Sequence, residues 1–187
     1  MALTKLEVDA HEILALAQKF ASAHDRAPAA IAAALARTGA TAKVRVVRTL
    51  TSQTGLKRQV IVRAVKAKAG RMQYALHSRG GNVHLKYFKA RETRKGVSAA
   101  PWNQRRVYAG MFIKGGRFPK RVALGLGGQV YKRGGKSRTP ITSQRSGLFI
   151  PKEMVRGVTA AAFTGTVKSE LPKRLAHELA RLFSGAR

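Results

Sequence analysis

The sequence contains no cysteine, few aromatic residues (6%) and almost no acidic residues outside its two ends. The absence of cysteine excludes disulfide bonds and thiolate metal sites. The longest stretch without a charged residue is Gly157–Val167, eleven residues, which is too short to span a bilayer. Because Glu7, Asp9 and Glu12 lie close to Met1, a secretory signal does not fit, and we expect a soluble protein made in a cytosol without membrane contact.

Acidic residues are scarcest in the middle of the chain. Residues 26–152 contain 29 of the 37 Lys and Arg residues and a single acid, Glu92, so this stretch carries +28 of the net charge of +29. Such a segment repels itself when it is compact, and a polyanion or an acidic partner relieves the repulsion. Solubility alone needs only a few net charges in a small domain. The sequence therefore indicates a protein that works beside nucleic acid or inside a charged assembly.

The scarcity of acids also argues against catalysis. Acid–base chemistry needs carboxylates or histidines in pairs, and metal-dependent nucleases need at least two carboxylates close together, whereas the basic centre offers only Glu92. Gly134–Ser137 resembles the end of a phosphate-binding loop, but Val130 stands where the first glycine is required. We therefore expect no enzyme, no cofactor and no metal site.

Helical periodicity dominates the N-terminal part. Apolar residues recur there at three- and four-residue steps and predict a first helix with one apolar face: Leu3, Leu6, Ala10, Ile13, Ala17 and Phe20. Asp25 and Pro28 predict the start of a second helix that runs to about Thr51, with Gly39 as a point where it bends or stops. A short third helix is expected around Lys57–Val62.

The C-terminal part also has the period of a helix. An apolar stripe runs from Val158 to Leu182, and Pro172 interrupts it. Either the helix kinks at Pro172, or a new helix begins there with Ser169 as its cap. Both alternatives leave a helical C-terminal end.

The centre of the chain shifts toward a period of two and is rich in glycine. Gln73–His77 and Val83–Phe88 predict a hairpin around Gly80-Gly81, and Val97–Trp102 predicts a strand that pairs with Arg106–Ile113. The sequence therefore predicts a single α+β domain over residues 1–187, with 1–70 mainly helical, 71–150 forming a small antiparallel sheet with long basic glycine-rich loops, and 151–187 helical.

The basic residues of the centre come in clusters that adjoin glycines or strand ends, as loops that reach toward phosphate do. The candidate contacts to a polyanion or a partner are Arg91, Arg94, Lys95, Arg105, Arg106, Lys114, Arg117, Lys120, Arg121, Lys132, Arg133, Lys136 and Arg138. The interleaved aromatic residues fit either stacking on single-stranded bases or filling the core of the sheet. No helix-turn-helix, zinc-finger or RNP pattern is visible, so contact with nucleic acid would be to the backbone and sensitive to salt.

Three stretches resemble a known family. They are Phe88–Ser98 (FKARETRKGVS), Arg106–Val122 (RVYAGMFIKGGRFPKRV) and Gly147–Val155 (GLFIPKEMV). These stretches resemble the minor tail protein Z family of lambda-like phages and prophages. The resemblance runs from about residue 5 to the C-terminus and is densest over residues 85–155.

The resemblance implies a structural tail completion protein of a long-tailed phage. Such a protein acts at the head-proximal end of the virion tail, in head–tail joining and DNA passage, after assembly in the host cytoplasm. It implies a homo-oligomeric ring, with the tail tube, the terminator, the head–tail connector and the genomic DNA backbone as candidate neighbours. Ring contacts need apolar patches, for which the candidates are Trp102, Phe112, Phe118 and Phe149. The alternative is a nucleic-acid-binding protein of the ribosomal or nucleoid type, without sequence specificity.

Overall fold

The computed structural model describes the backbone of residues 10–70 and 73–184, and the side chains of these ranges from Arg26 onward apart from residue 183. Its helices are α1 (Ala10–Thr54), α2 (Arg58–Ala64), α3 (Ile150–Met154) and α4 (Gly157–Ser184). Short strands fill the chain between α2 and α3. The order of helices, strands and a C-terminal helix confirms the α+β class.

The strands of the described residues form five small antiparallel sheets rather than one. The sheets are β1–β2, β3–β12, β4–β5–β6, β7–β10–β11 and β8–β9. The strand bounds are β1 Val65–Ala69, β2 Tyr74–Ser78, β3 Asn82–His84, β4 Arg91–Thr93, β5 Gly96–Ala99, β6 Arg106–Ala109, β7 Met111–Phe112, β8 Lys114–Gly115, β9 Val122–Ala123, β10 Tyr131–Arg133, β11 Ile141–Ser143 and β12 Arg145–Phe149.

The predicted hairpin around Gly80-Gly81 is wrong. Strand β2 pairs with β1, with Val65 opposite Ser78, and β3 pairs with the distant β12, with Asn82 opposite Phe149. Strand β1 lies in the part of the chain that was expected to be helical, and only its first residue is buried. The glycine pair therefore connects two sheets, because each flanking strand finds its hydrogen-bond partner elsewhere.

Helix α1 is one continuous helix and includes Pro28, so no second helix begins there. Leu3 and Leu6 of the predicted first helix lie outside the described residues. Seven of the buried residues of α1 recur every four positions, which is the ridge along which helices pack: Ala30, Ala34, Thr38, Ala42, Val46, Leu50 and Thr54. The small side chains in this ridge let a second helix approach closely, and that packing outweighs the hydrogen bond lost at Pro28. The helix ends at Gly55, whose φ is 74°.

Helix α4 is that second helix, and it runs antiparallel to α1. Arg37 pairs with Glu178, and Arg174 donates a hydrogen bond of 3.0 Å to the Thr41 hydroxyl. Near the other end, the Thr159 hydroxyl donates to the side-chain oxygen of Gln53 at 2.8 Å. Helix α4 continues through Pro172, so the alternative of a new helix at that position is wrong.

The core lies where the α1 end nearest α2 meets the sheets. It is formed by aliphatic residues of every layer and one aromatic residue, and its buried members are Val46, Val47, Leu50, Leu56, Ile61, Val65, Leu85, Phe88, Val97, Ala99, Val130, Leu148 and Ile150. Strand β5 is buried along its whole length. The hairpin that β5 forms with β4 is therefore anchored firmly, while the loops beyond it reach the surface.

Gly39 stands in the middle of α1 for a reason of space. A Cβ atom at this position would lie 2.2 Å from the ring of Tyr74 on β2. Burial raises the pKa of the Tyr74 phenol above its ordinary value, in keeping with its position against the helix. The glycine that the sequence marks as a weak point is thus the place where the sheet β1–β2 meets α1.

We expect Gly39→Ala to lower the free energy of unfolding by about 1–3 kcal/mol, because the new methyl group overpacks the contact with Tyr74. The matched control is Gly165→Ala in α4, where a Cβ atom meets nothing within 4 Å. The control should raise the free energy of unfolding by about 0.5–1 kcal/mol through helix propensity. Urea unfolding followed by circular dichroism measures both, and equal stabilisation by the two substitutions would contradict the assigned contact.

Candidate polyanion- and partner-binding groove

The turn between β4 and β5 places two basic side chains at one edge of a groove. In this hairpin Thr93 lies opposite Gly96, and the Thr93 hydroxyl donates to the Gly96 carbonyl at 2.9 Å. Gly96 has a φ of 148°, and a Cβ atom there would lie 2.1 Å from the Tyr108 carbonyl oxygen on β6. A glycine is therefore required for β6 to lie against the turn. The two residues of the turn, Arg94 and Lys95, are exposed.

Glu92, the single acid of the basic centre, binds two residues that line the same groove, Lys114 and Arg121. Its Oε1 atom accepts hydrogen bonds from the backbone N–H groups of Ile113 and Lys114, the latter at 2.8 Å. Its Oε2 atom pairs with the guanidinium group of Arg121. The side chains of Glu92 and Arg121 are 14% and 17% exposed. One carboxylate thus joins three segments of the chain, and it is occupied by structural contacts.

The groove has a volume of about 240 Å³ and a floor that contains four glycines. Five of the candidate basic residues line it: Arg94, Lys95, Lys114, Arg121 and Arg133. A second depression, lined by Arg117, Phe118 and Pro119, shares Arg94 and Arg121 with it. We call the two together the basic groove. Its charges converge from five places in the sequence, and Glu92 balances only one of them.

Two of the guanidinium groups in the basic groove are braced against aromatic rings. Arg133 lies 5.2 Å from the ring centroid of Phe112 and donates a hydrogen bond of 2.7 Å to the Arg138 carbonyl. Arg121 lies 6.0 Å from the ring centroid of Phe118. Contacts of this kind hold a guanidinium group in place against the face of a ring. The groove is therefore partly organised for an anion before one binds.

The other candidate basic residues lie elsewhere. Arg105 donates to the Ser98 hydroxyl at 3.0 Å, and Arg106 donates to the side-chain oxygen of Gln104 at 2.8 Å. Seven candidates do not line the basic groove: Arg91, Arg105, Arg106, Lys120, Lys132, Lys136 and Arg138. Arg138 lines an apolar groove next to it. Density along the sequence is thus only a partial guide to which charges meet.

The four candidate interface residues do not form one patch. Phe112 and Phe118 line the basic groove, whereas Trp102 is 39% exposed beside the end of α1. The 3-10 turn of Trp102 is tied to that helix end because Asn103 donates to the Ser52 carbonyl at 2.5 Å. Phe149 lies on β12, with the Lys152 ammonium group 4.7 Å from its ring centroid.

A surface that the sequence did not predict adjoins the basic groove. It is an apolar groove of about 490 Å³, lined mainly by Phe112, Val122, Leu124, Leu126 and Ile141. Val122, Leu124 and Leu126 are 70%, 39% and 45% exposed. The signal in the sequence is the run of apolar residues and glycines that begins at Val122. This run forms only the two-residue strand β9, which is too short to bury the apolar side chains.

Acidic side chains in the described part of the chain are all engaged. Glu170 pairs with Arg45 and Arg174, and Glu178 pairs with Arg37 and Arg181. Glu153 accepts a hydrogen bond of 2.6 Å from Gln53 on α1. Together with Glu92, these residues stabilise the fold, and the acids of α4 bind it to α1. Among the described side chains, therefore, the basic groove receives no carboxylate except that of Glu92.

In residues 10–70 and 73–184, no helix has both the length and the apolar character needed to cross a bilayer. No group of three His, Asp or Glu side chains suited to a metal ion occurs in the same ranges.

Comparison of the chain with protein families, with curated proteins and with solved structures finds no match.

Proposed function

We propose that this protein is a non-catalytic tail completion protein of a long-tailed phage, of the minor tail protein Z type. It acts at the head-proximal end of the virion tail, in head–tail joining and DNA passage, as one subunit of a ring. Its neighbours are the tail tube, the terminator, the head–tail connector and the passing DNA. The protein works by binding these neighbours through surface charge rather than by chemistry.

The observation that carries the proposal is the basic groove with its shortage of counter-ions. Arg94, Lys95 and Lys114 are exposed, and every described carboxylate is engaged elsewhere or with Arg121. Like charges that converge in this way repel one another, and a negatively charged neighbour relieves that repulsion. A surface of this kind is expected of a subunit whose charge repulsion is relieved by its neighbours in an assembly.

The stretches that resemble the Z family give the proposal its second support. Phe88–Ser98 contains Glu92, and Arg106–Val122 contains all three groups that Glu92 binds. Gly147–Val155 contributes the buried residues Leu148 and Ile150 to the core. The resemblance thus falls on residues that build the basic groove and its foundation, which is where a shared function would be expected.

The proposal predicts the effect of reversing three charges of the basic groove in a phage that encodes this protein. We expect Arg94→Glu, Lys95→Glu and Lys114→Glu together to lower the plaque titre by about two orders of magnitude or more, because each reversed charge at a complementary contact costs several kcal/mol. Electron microscopy should show heads and tails that fail to join or to eject DNA.

The matched control reverses three exposed charges outside the groove, Lys57, Arg58 and Arg63, and should leave the titre near the wild-type value. Thermal unfolding of both purified triple variants checks that each is folded. Wild-type titre from a folded groove variant would refute the proposal. Binding of duplex DNA by the isolated protein, with a steep loss of affinity as salt is raised, would instead favour the nucleic-acid-binding alternative.

A further inference from the structure

We infer that the basic groove and the apolar groove beside it form a docking site for the acidic N-terminal segment, residues 1–25, of a neighbouring copy of the same chain. This inference rests on the proposed function, because it supplies the contact by which ring subunits join. It also names the occupant of a surface that no described residue of the same chain covers.

The docking site combines charge with apolar surface. The two grooves share Phe112, Gly115, Gly116 and Arg133, so they are continuous. Phe118 is 40% exposed at one end, and Val122 is 70% exposed in the other groove. Exposed apolar side chains clustered beside cations are typical of protein contacts. A sugar–phosphate backbone offers little apolar surface to place against Val122 and Leu124, so the site favours a protein segment over nucleic acid.

Residues 1–25 have the complementary composition. They contain four of the eight acids of the chain (Glu7, Asp9, Glu12 and Asp25) and only two Lys or Arg residues. Their sequence has the period of an amphipathic helix, with Leu6 and Ile13 on the predicted apolar face. Because the described carboxylates are already engaged, this segment is the stretch of the chain that can bring both carboxylates and apolar side chains to another copy.

The geometry of α1 carries the described part of this segment beyond the end of α4. Arg37 faces Glu178 and Thr41 faces Arg174, so the two helices run past each other with a fixed offset. At that offset the last residue of α4, Ser184, falls opposite a residue near position 31 of α1. The α1 backbone begins at Ala10. About six turns of α1 therefore extend past the end of α4, at 3.6 residues per turn.

A contact between the N-terminal segment of one copy and the grooves of the next is heterologous, because it joins two different surfaces. Repeated contacts of this type close into a ring when the rotation between subunits permits. The high net charge of each copy opposes association at low ionic strength. At about 0.15 M salt the Debye length is about 8 Å, so the repulsion between whole subunits is screened while pairs in direct contact still attract.

The test is a charge exchange between the two surfaces, read by sedimentation equilibrium of the full-length protein in 0.15 M salt. Two variants each reverse one side of the contact: Glu7→Lys with Glu12→Lys, and Arg94→Glu with Lys114→Glu. We expect the wild type to form oligomers and each of these variants to be monomeric. The variant that combines all four substitutions restores the opposite charges and should form oligomers again.

Two controls separate this contact from general effects of charge and folding. Lys57→Glu with Arg58→Glu changes the net charge as much as the groove variant does, and it should leave self-association unchanged. Leu124→Ser should weaken self-association about tenfold, since it removes one exposed apolar side chain from the contact without changing any charge. Its thermal unfolding should match that of the wild type.

A wild-type protein that stays monomeric, or a four-substitution variant that does not recover, would overturn the inference. Loss of duplex DNA binding by the groove variant with unchanged self-association would assign the groove to nucleic acid instead. These outcomes are independent of the plaque assay. If the wild type is monomeric and the groove variant has a low titre, the proposed function stands and the groove binds another partner. If the wild type forms oligomers and the groove variant has a normal titre, the docking contact stands and the proposed function does not.

Discussion

Replacing Glu92 with alanine is expected to lower the free energy of unfolding by about 3–5 kcal/mol, as the loss of one partner from a buried ion pair does. The side chains of Glu92 and Arg121 are 14% and 17% exposed. The substitution leaves the Arg121 guanidinium group without its counter-ion. It also removes the acceptor for the N–H groups of Ile113 and Lys114. Urea unfolding at neutral pH measures the change.

Glu92→Gln divides this effect into its two parts. The amide oxygen of glutamine can still accept the two backbone hydrogen bonds, so only the ion pair with Arg121 is lost, and the destabilisation should be about half that of alanine. The matched control is Glu170→Gln, whose side chain is 27% exposed, about twice as much as that of Glu92, and pairs with Arg174 and with the half-exposed Arg45. The control should lower the free energy of unfolding by less than about 1 kcal/mol. Wild-type stability of Glu92→Ala would contradict the structural role of this carboxylate.

The same variant distinguishes a structural carboxylate from a catalytic one. Glu92→Gln removes negative charge from the basic groove, so the variant should bind a polyanion at least as tightly as the wild type, as long as it is folded. A catalytic carboxylate would behave in the opposite way, because its loss would abolish a reaction while substrate binding and stability changed little. The acid that the sequence singles out thus acts in the structure as a joint between segments.

The parts of the fold that the sequence predicts correctly are governed by local signals. The short helix α2 follows a glycine that ends α1, and the strands β5 and β6 are neighbours in the chain, with Val97 opposite Tyr108. The hairpin at Gly80-Gly81 failed because β3 pairs with β12, whose residues lie more than sixty positions away. Glycine pairs indicate that the chain turns, but they carry no information about a distant partner strand.

The candidate site was predictable in composition and not in geometry. Arg91 and Glu92 are neighbours on β4, and their side chains alternate between the two faces of the strand, so Arg91 is exposed while Glu92 binds Lys114 and Arg121. Clusters of basic residues that look alike in the sequence therefore lie at different places in the fold. Arg94 lines the basic groove, whereas Arg105 binds Ser98. The sequence does not predict the apolar groove, because a run of apolar residues usually indicates burial. Here the strands are too short to cover the apolar side chains, which therefore stay exposed.

Phe88→Ala is the second substitution with a large expected effect, and Phe118→Ala is its control. Both phenylalanines stand among basic residues, so the sequence does not distinguish them. Phe88 is fully buried, and its carbonyl accepts a hydrogen bond of 3.0 Å from the Ala100 N–H group. Phe118 is 40% exposed beside Arg121. We expect Phe88→Ala to lower the free energy of unfolding by about 3–5 kcal/mol through the cavity it leaves.

The control should change stability by less than about 0.5 kcal/mol, since an exposed ring leaves no cavity when it is removed. Under the proposed function, the two variants should also lower the plaque titre for different reasons. Phe88→Ala lowers the plaque titre by unfolding the subunit, so the titre should recover at a lower growth temperature. Phe118→Ala lowers the titre through a weaker contact in the basic groove, so its titre should stay low at that temperature. Equal stability of the two variants would contradict the placement of Phe88 in the core, because only the removal of a buried ring leaves a cavity that destabilises the fold.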